Sequence, residues 1–350
     1  MRNIGIEPFA GPGGEQRAEK VGHWMKSVLG HPASREFCAK HNMALTKATN
    51  EAGNTAGGFL VPTAMDNAII AVRDSVGAFR MGADVRTYRS DNAVRPRRTG
   101  GLTANFVQEG AAIPVSAMNF DAVSVAIKAL KIFSQSSGEL WEDEAVDLAN
   151  FIVTEIGYAF AAAEDDAGFN GDGTSAYWGI QGLGPKMAGL KSAVTAASGH
   201  NTYGLLDNID LTNLMAGVLA TGIQNAKWYV SAMGYAQTLA RLAGNGGGLV
   251  AYQRADGTIR ANYLGFPVVF TSKLPNVQTT LSGKMMMAFG DLSQSSVIAD
   301  NSSNTAIDIS ADRYSIEDQV AVRGVRRLDI VNHSLGDAST YGPVAVLYGA

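Results

Sequence analysis

Apolar positions change their spacing several times along the chain, and each change marks an element. Val21, Trp24, Met25, Val28 and Leu29 recur at i, i+3, i+4, i+7 and i+8, one stripe of an amphipathic helix that Gly30 and Pro32 terminate. Residues 1–14, rich in Gly and Pro, precede it as an extended arm. The small polar stretch KATNEAGNTAGG at 47–58 separates this arm from a body that starts near Phe59. A stripe carrying a tryptophan needs a surface to lie on, which makes Trp24 a candidate inter-subunit contact. Past Pro62, the positions of Ala64, Ala68, Ile69, Val72, Val76 and Phe79 predict a second helix, and VRTY at 85–88 predicts a strand.

The period then becomes two. FDAVSVAIKALKIFSQ at 120–135 alternates as a half-buried strand does, and with the preceding segment it predicts a long two-stranded projection with a polar tip and no core of its own. Residues 139–166 carry the strongest helical signal, with Leu148, Ile152, Ile156, Ala159, Phe160 and Ala163 on one face and Glu142, Asp143, Glu144 and Asp147 near the start, where the helix dipole favours carboxylates. Residues from about 205 predict a compact α/β unit. It comprises helices at LLDNIDLTNLMAGVLATGI and YAQTLARLAG, strands at KWYVSA, FPVVFTS and MMMAFGD, and a GNGGG loop at 244–248. SSVIAD, TAIDIS, DQVAVRGVRRLDIVN and PVAVLYGA end the chain as strands.

Charge refines this layout. Residues 86–110 hold Arg86, Arg89, Arg95, Arg97 and Arg98 against Asp91 and Glu109, a net charge of +3, whereas 139–172 hold ten carboxylates and no Lys or Arg, a charge of −10. Ten like charges on one element repel unless something screens them, and the basic hairpin is the candidate partner. Over all 350 residues only 17% are charged against 46% hydrophobic, which excludes a disordered chain and leans toward a subunit covered by neighbours. The net charge of −4 excludes a global basic field for wrapping DNA. The single cysteine, Cys38, permits no internal disulfide and fits a reducing compartment. Residues 1–30 lack an apolar signal core, and no run of about 18 apolar residues occurs, so neither export nor a membrane partner is expected.

No catalytic constellation emerges. His31 and His41 flank Cys38 without ligand spacing, and the 142–147 carboxylates lack a Gly-centred calcium loop, so no metal or cofactor is expected. GDGTSAYWG at 171–179 lacks the phosphate-loop lysine and follows a helix, which makes it a turn, and there is no GxSxG.

The order of segments resembles a known family. TAGGFLVP at 55–62, the long hairpin, the acidic helix ending in GFNGDGT with WGIQGL, LGFPVVFTSKLP at 264–275, FGD at 289–291 and a late Arg-rich strand together resemble the major capsid proteins of tailed bacteriophages with the Hong Kong 97 fold. The resemblance implies an α+β fold. An N-terminal arm would take 1–58, a peripheral domain with a long spine helix 59–85, 126–204 and 295–337, an extended β-hairpin loop 86–125, and an axial α/β domain 205–294 with a return at 338–350. Asn245, Gly246 and Gly247 would lie near the capsomer axis.

The implied function is a non-enzymatic head protein that assembles as pentamers and hexamers into an icosahedral shell around double-stranded DNA, without sequence-specific contact. Assembly would take place in the host cytoplasm with a portal and a scaffolding protein or protease, and a cement protein could decorate the shell. Two departures stand out. About 50 residues precede GGFLVP where some relatives carry a scaffolding segment of about a hundred, so the chain is expected to be near its mature length or to use a separate scaffold. The loop GGLTANFVQEGAAIPVSAMNF has no lysine, and Gln319, Arg323, Arg326 and Arg327 occupy the late strand, so the family's isopeptide crosslink is not expected. The charge map adds a contact in which Arg95, Arg97 and Arg98 of one subunit meet Glu142, Asp143, Glu144 or Asp147 of the next. An encapsulin-type compartment is the alternative on the same fold, and a carbohydrate-binding or hydrolytic α/β protein the alternative outside it.

Overall fold

A 26-residue helix, α4 (Ala145–Asn170), about 39 Å long, is the element against which the first half of the body is built. The structure is a computed structural model that describes residues 7–43, 62–108, 110, 112–141, 145–245, 252–255, 258–302, 305–310 and 319–350. Leu148, Ala149, Ile152, Val153, Ile156 and Phe160 of α4 are buried. They form one core with Val21, Trp24 and Met25 of α1 (Gly14–Val28) and Met65, Ala68 and Ile69 of α3 (Thr63–Val76). Ala159, expected on the apolar face, is exposed, and Val153 is buried in its place. Glycines let the helices close in: a Cβ at Gly157 would lie 2.8 Å from Val72 Cβ, and one at Gly168 2.6 Å from the Phe79 ring. By length and composition Val146–Asn170 could cross a membrane, but here one face of it is buried against α1 and α3, while Phe151 and Tyr158 stand exposed.

The short helix α2 (Pro32–Lys40) folds back on α1, where Phe37 stacks between His23 and His41 at 4.1 and 4.2 Å. Trp24 is 1% exposed, and this corrects the expectation of a free stripe, because α4 of the same chain supplies the surface its indole needed. Burial of a side chain of this size contributes roughly 1.5–3 kcal/mol.

Two sheets and a separate hairpin follow. The first sheet joins β1 (Asp84–Tyr88), parallel to β11 (Ser296–Asn301), with β13 (Gln319–Asn332), whose edges also take β12 (Ala306–Ser310) and β4 (Lys128–Ser137). The second runs β5 (Ala193–Thr195), β14 (Val344–Tyr348), β10 (Met285–Gly290), β6 (Lys227–Val230), β9 (Phe266–Phe270), β8 (Thr258–Tyr263) and β7 (Tyr252–Ala255). β10 and β11 are buried at every position, β10 as its unbroken apolar or small residues require, β11 with Asp300 and Asn301 buried among side-chain partners. Phe79, Phe169, Tyr229, Ile298, Leu328 and Val346 share a core that ties the two sheets together.

The hairpin pairs β2 (Asn92–Gly100) with β3 (Asn119–Ala126), Arg95 opposite Val123 and Arg97 opposite Asp121. The single strand expected over 120–135 is two strands. It breaks at Ile127, whose N–H donates to the Asp91 carbonyl at 2.8 Å, so β3 leaves with the hairpin while β4 stays in the first sheet.

Candidate assembly surface

The acidic helix is screened from inside the subunit. Glu164, fully buried, receives the Nε of Arg73 at 2.9 Å and a second Arg73 nitrogen, and Arg80 approaches its other oxygen at 3.4 Å. Arg80 also donates to Asp300 of β11 at 2.7 Å, and Arg326 of β13 lies 3.6 Å from Asp66 and 3.8 Å from Asp300. Burial pushes the Glu164 carboxyl up, against the two arginines. It would push Asp300 up too, but Arg73, Arg80 and Arg326 hold that carboxyl below its ordinary value. Three guanidinium groups and three carboxylates thus bind α3, α4 and the first sheet into one body. Next to them Asp165 accepts the N–H groups of Ala78 and Phe79 at 3.0 and 2.8 Å, and burial pushes its carboxyl up to about 6.

In the C-terminal half of the helix, then, it is Arg73 and Arg80 of the same subunit, not the hairpin, that meet Glu164. The signal was present as two arginines in and just beyond a helical stripe, but apart from Asp74, six residues before Arg80, their carboxylates lie 84 to 227 residues away.

The hairpin root is organised differently. Asp329 of β13 accepts the Ala126 N–H at 2.9 Å and the Lys128 ammonium at 2.9 Å, which fixes where the chain turns outward. Arg95 lies 3.5 Å from Asp84, and Arg97 donates to Asp121 at 2.8 Å and to the His333 carbonyl. Arg327 reaches back from β13 to Asp91 at 3.0 Å. Arg95 and Arg97 therefore already have partners in their own subunit, yet each side chain remains about a third exposed at 31%. The Arg98 side chain lies outside the described residues.

Beyond the paired strands the described part of 101–118 is almost wholly exposed, apolar side chains included: Phe106 at 111%, Val115 at 98%, Ile113 at 77% and Leu102 at 61%. The tip, expected to be polar, thus leaves four large apolar side chains in solvent, and exposed apolar surface of this kind marks an interaction surface. Of the acidic candidates, Asp147 is exposed in the first turn of α4, whereas Glu142, Asp143 and Glu144 lie outside the described residues. Asn245 is exposed at the end of a helix, and Gly246 and Gly247 lie outside the described residues.

One cluster escaped the sequence reading. His200, Asp207 and Asp210 bring ligand-type atoms within 4.8 Å of one another. Their oxygens are already used: Asp207 caps α6 (Asn208–Ala216), accepting from Ile209 and Asp210, while Asp210 accepts from Ala197, from the Asp207 N–H and, at 2.6 Å, from His200. The group is a capping box with an attached histidine. At Cys38, the thiol faces the Ser27 hydroxyl at 3.4 Å, away from any metal cluster among the described residues.

Comparison with known proteins bears on what this surface is for. The Phage capsid family matches residues 57–333, most of the chain. The chain belongs to that family. Solved structures share its fold across nearly the whole length. The capsid of an empty GTA particle is 18% identical with a TM-score of 0.55, covering 89% of this chain and 98% of that one. The structure from Mycobacterium phage Bobi is 15% identical with a TM-score of 0.56, covering 90% and 98%. The holo-SrpI encapsulin complex of Synechococcus elongatus is 12% identical with a TM-score of 0.50, covering 76% and 84%. No curated protein sequence matches. The fold is that of Hong Kong 97-type capsids, α+β as expected, and the chain is a major capsid protein: a structural protein of the virion shell that assembles with copies of itself.

Proposed function

We propose that this capsid protein forms pentamers and hexamers in an icosahedral shell that encloses double-stranded DNA, in which the hairpin of one subunit lies over the next. The observation that carries this reading is the loop tip, where Phe106, Ile113 and Val115 stand in solvent on a projection without a core. Covering them stabilises the shell by roughly 1.5–3 kcal/mol per side chain, repeated in every subunit. In this arrangement the first sheet with α4 is the peripheral domain, the second sheet with its helices is the axial domain, and Asn245, Gly246 and Gly247 face the capsomer axis. Arg95, Arg97 and Arg98 meet the acidic start of the next subunit's long helix at Glu142, Asp143, Glu144 and Asp147.

The role is structural, without catalysis. Assembly takes place in the host cytoplasm with a portal and either a scaffolding protein or a protease, and noncovalent contacts or a cement protein complete the shell. The encapsulin likeness is at the level of fold and is the less favoured reading, since the family match is to phage capsids. Velocity sedimentation of the purified chain, with negative-stain microscopy of the fast fraction, tests the proposal. Rings of five or six, or hollow shells, are the expected result. A monomer that never assembles, even with crowding agent or a scaffold, would overturn it.

A further inference from the structure

A cleft of about 620 Å³ opens between the hairpin root and the body. Arg97 and Asp121 of the hairpin form one wall, and Lys186, in a short helix at Leu183–Met187, faces them with Asn332 at the end of β13 and His333 just after it. The polar groups there are incompletely satisfied. The Lys186 ammonium donates to the Asn332 carbonyl at 2.5 Å and has no ion pair among the described residues. The Nε of Arg97 and the Nε2 of His333 are both buried without a hydrogen-bond partner, and Nδ1 of His333 is engaged by the Ser334 hydroxyl at 2.8 Å. Arg97, Lys128 and Lys186 line the same space as Asp121 and Asp329, which leaves one cation in excess. Burial pushes Lys186 down with Arg97 adding to it, and burial, followed by Arg95, Arg97 and Lys186, pushes His333 down to about 4.

Arg97, Lys186 and His333 thus line one cleft with an excess of positive charge. The Arg97 Nε and His333 Nε2 lie just beneath its surface, where unpaired polar atoms are costly, and a ligand would reach them with a side-chain shift. A guanidinium edge, an ammonium and an imidazole approaching from separate elements suit a tetrahedral oxyanion with several acceptor oxygens better than a planar carboxylate with two. We infer that this cleft binds a phosphate oxyanion, either free or carried by a nucleic-acid backbone, held by Arg97, Lys186 and His333. Because Arg97 belongs to the hairpin and the other two to the body, the bound anion ties the hairpin to its own subunit. The inference does not depend on how subunits pack.

The test is a titration of the full chain with inorganic phosphate, balanced by chloride at constant ionic strength so that screening is unchanged. Amide hydrogen exchange over 92–100 and 119–126 is the readout. The expected result is a saturable slowing of exchange, with the half-saturating phosphate raised about tenfold or more in Lys186→Met, as the loss of one charge-assisted hydrogen bond implies. His333→Gln supplies a second variant if Lys186→Met proves unstable in chloride, with a several-fold weakening expected. A short DNA duplex added in competition separates the sources: displacement of phosphate assigns the site to nucleic-acid backbone, and no displacement assigns it to the free anion. A response that never saturates, or one identical in wild type and both variants, would overturn the inference.

Discussion

Arg73, Arg80 and Arg326 on one side and Arg95 and Arg97 on the other are one residue type in two settings. The interior set is at most 6% exposed, and each member faces carboxylates of a distant segment. The hairpin pair is 31% exposed and pairs within the hairpin or at its root. The difference teaches what each charge can do. A buried ion pair is locked in, because removing either partner strands an uncompensated charge, while a half-exposed one exchanges partners with water, ions or another subunit at little cost. The acidic helix spans both regimes, with Glu164 committed to the interior and Asp147 left in solvent.

The sharpest way to break this comparison is the same substitution in both places. Arg73→Met removes both donors from Glu164 Oε1 and is expected to cost about 3–5 kcal/mol in urea unfolding, whereas Arg97→Met is expected to cost less than about 1. Equal effects would abolish the distinction. Asp165 sharpens it through pH. Its carboxyl, raised to about 6 in the folded chain from an ordinary 3.8, binds a proton more tightly folded than unfolded. Its contribution is therefore greatest below pH 4, falls as pH rises to about 6, and is flat above, a change of up to about 3 kcal/mol. Subtracting the stability profile of Asp165→Asn from that of wild type should isolate this slope; a flat difference curve would mean the buried site does not titrate. The smallest effect concerns the hairpin charges. Arg97→Glu with Arg98→Glu should change subunit stability by less than about 1 kcal/mol and still disturb assembly more at low salt than at high. Shells forming normally at both salts would remove the hairpin arginines from the contact.

Much of the fold was legible in spacing. The stripe at Val21, Trp24 and Met25, the stripe from Ala68 to Val72, and the unbroken apolar run at 285–289 became α1, α3 and β10, because periodicity reports which side of an element is covered. What spacing does not report is by what. Trp24 was assigned to a neighbouring subunit and lies on α4 of its own chain. The break at Ile127 was hidden for the same reason: residues 120–135 keep one alternation through two strands that pair with different partners, β3 with β2 and β4 with β13.

The candidate surface divides along the same line. The basic hairpin could be read directly, since it is a local composition, whereas its tip, expected to be polar, exposes Phe106, Ile113 and Val115. The cleft at Lys186 and His333 could not, because its walls come from segments up to 236 residues apart in the case of Arg97 and the His333 carbonyl. The sequence by itself determined most of the helices and strands, a resemblance to the capsid family and the presence of a coreless hairpin, because these rest on patterns within short windows and their order. Only the tertiary structure decided which charge meets which. An arginine carries the same sign and reach wherever it stands, and its partner is chosen by the packing that brings distant backbone together.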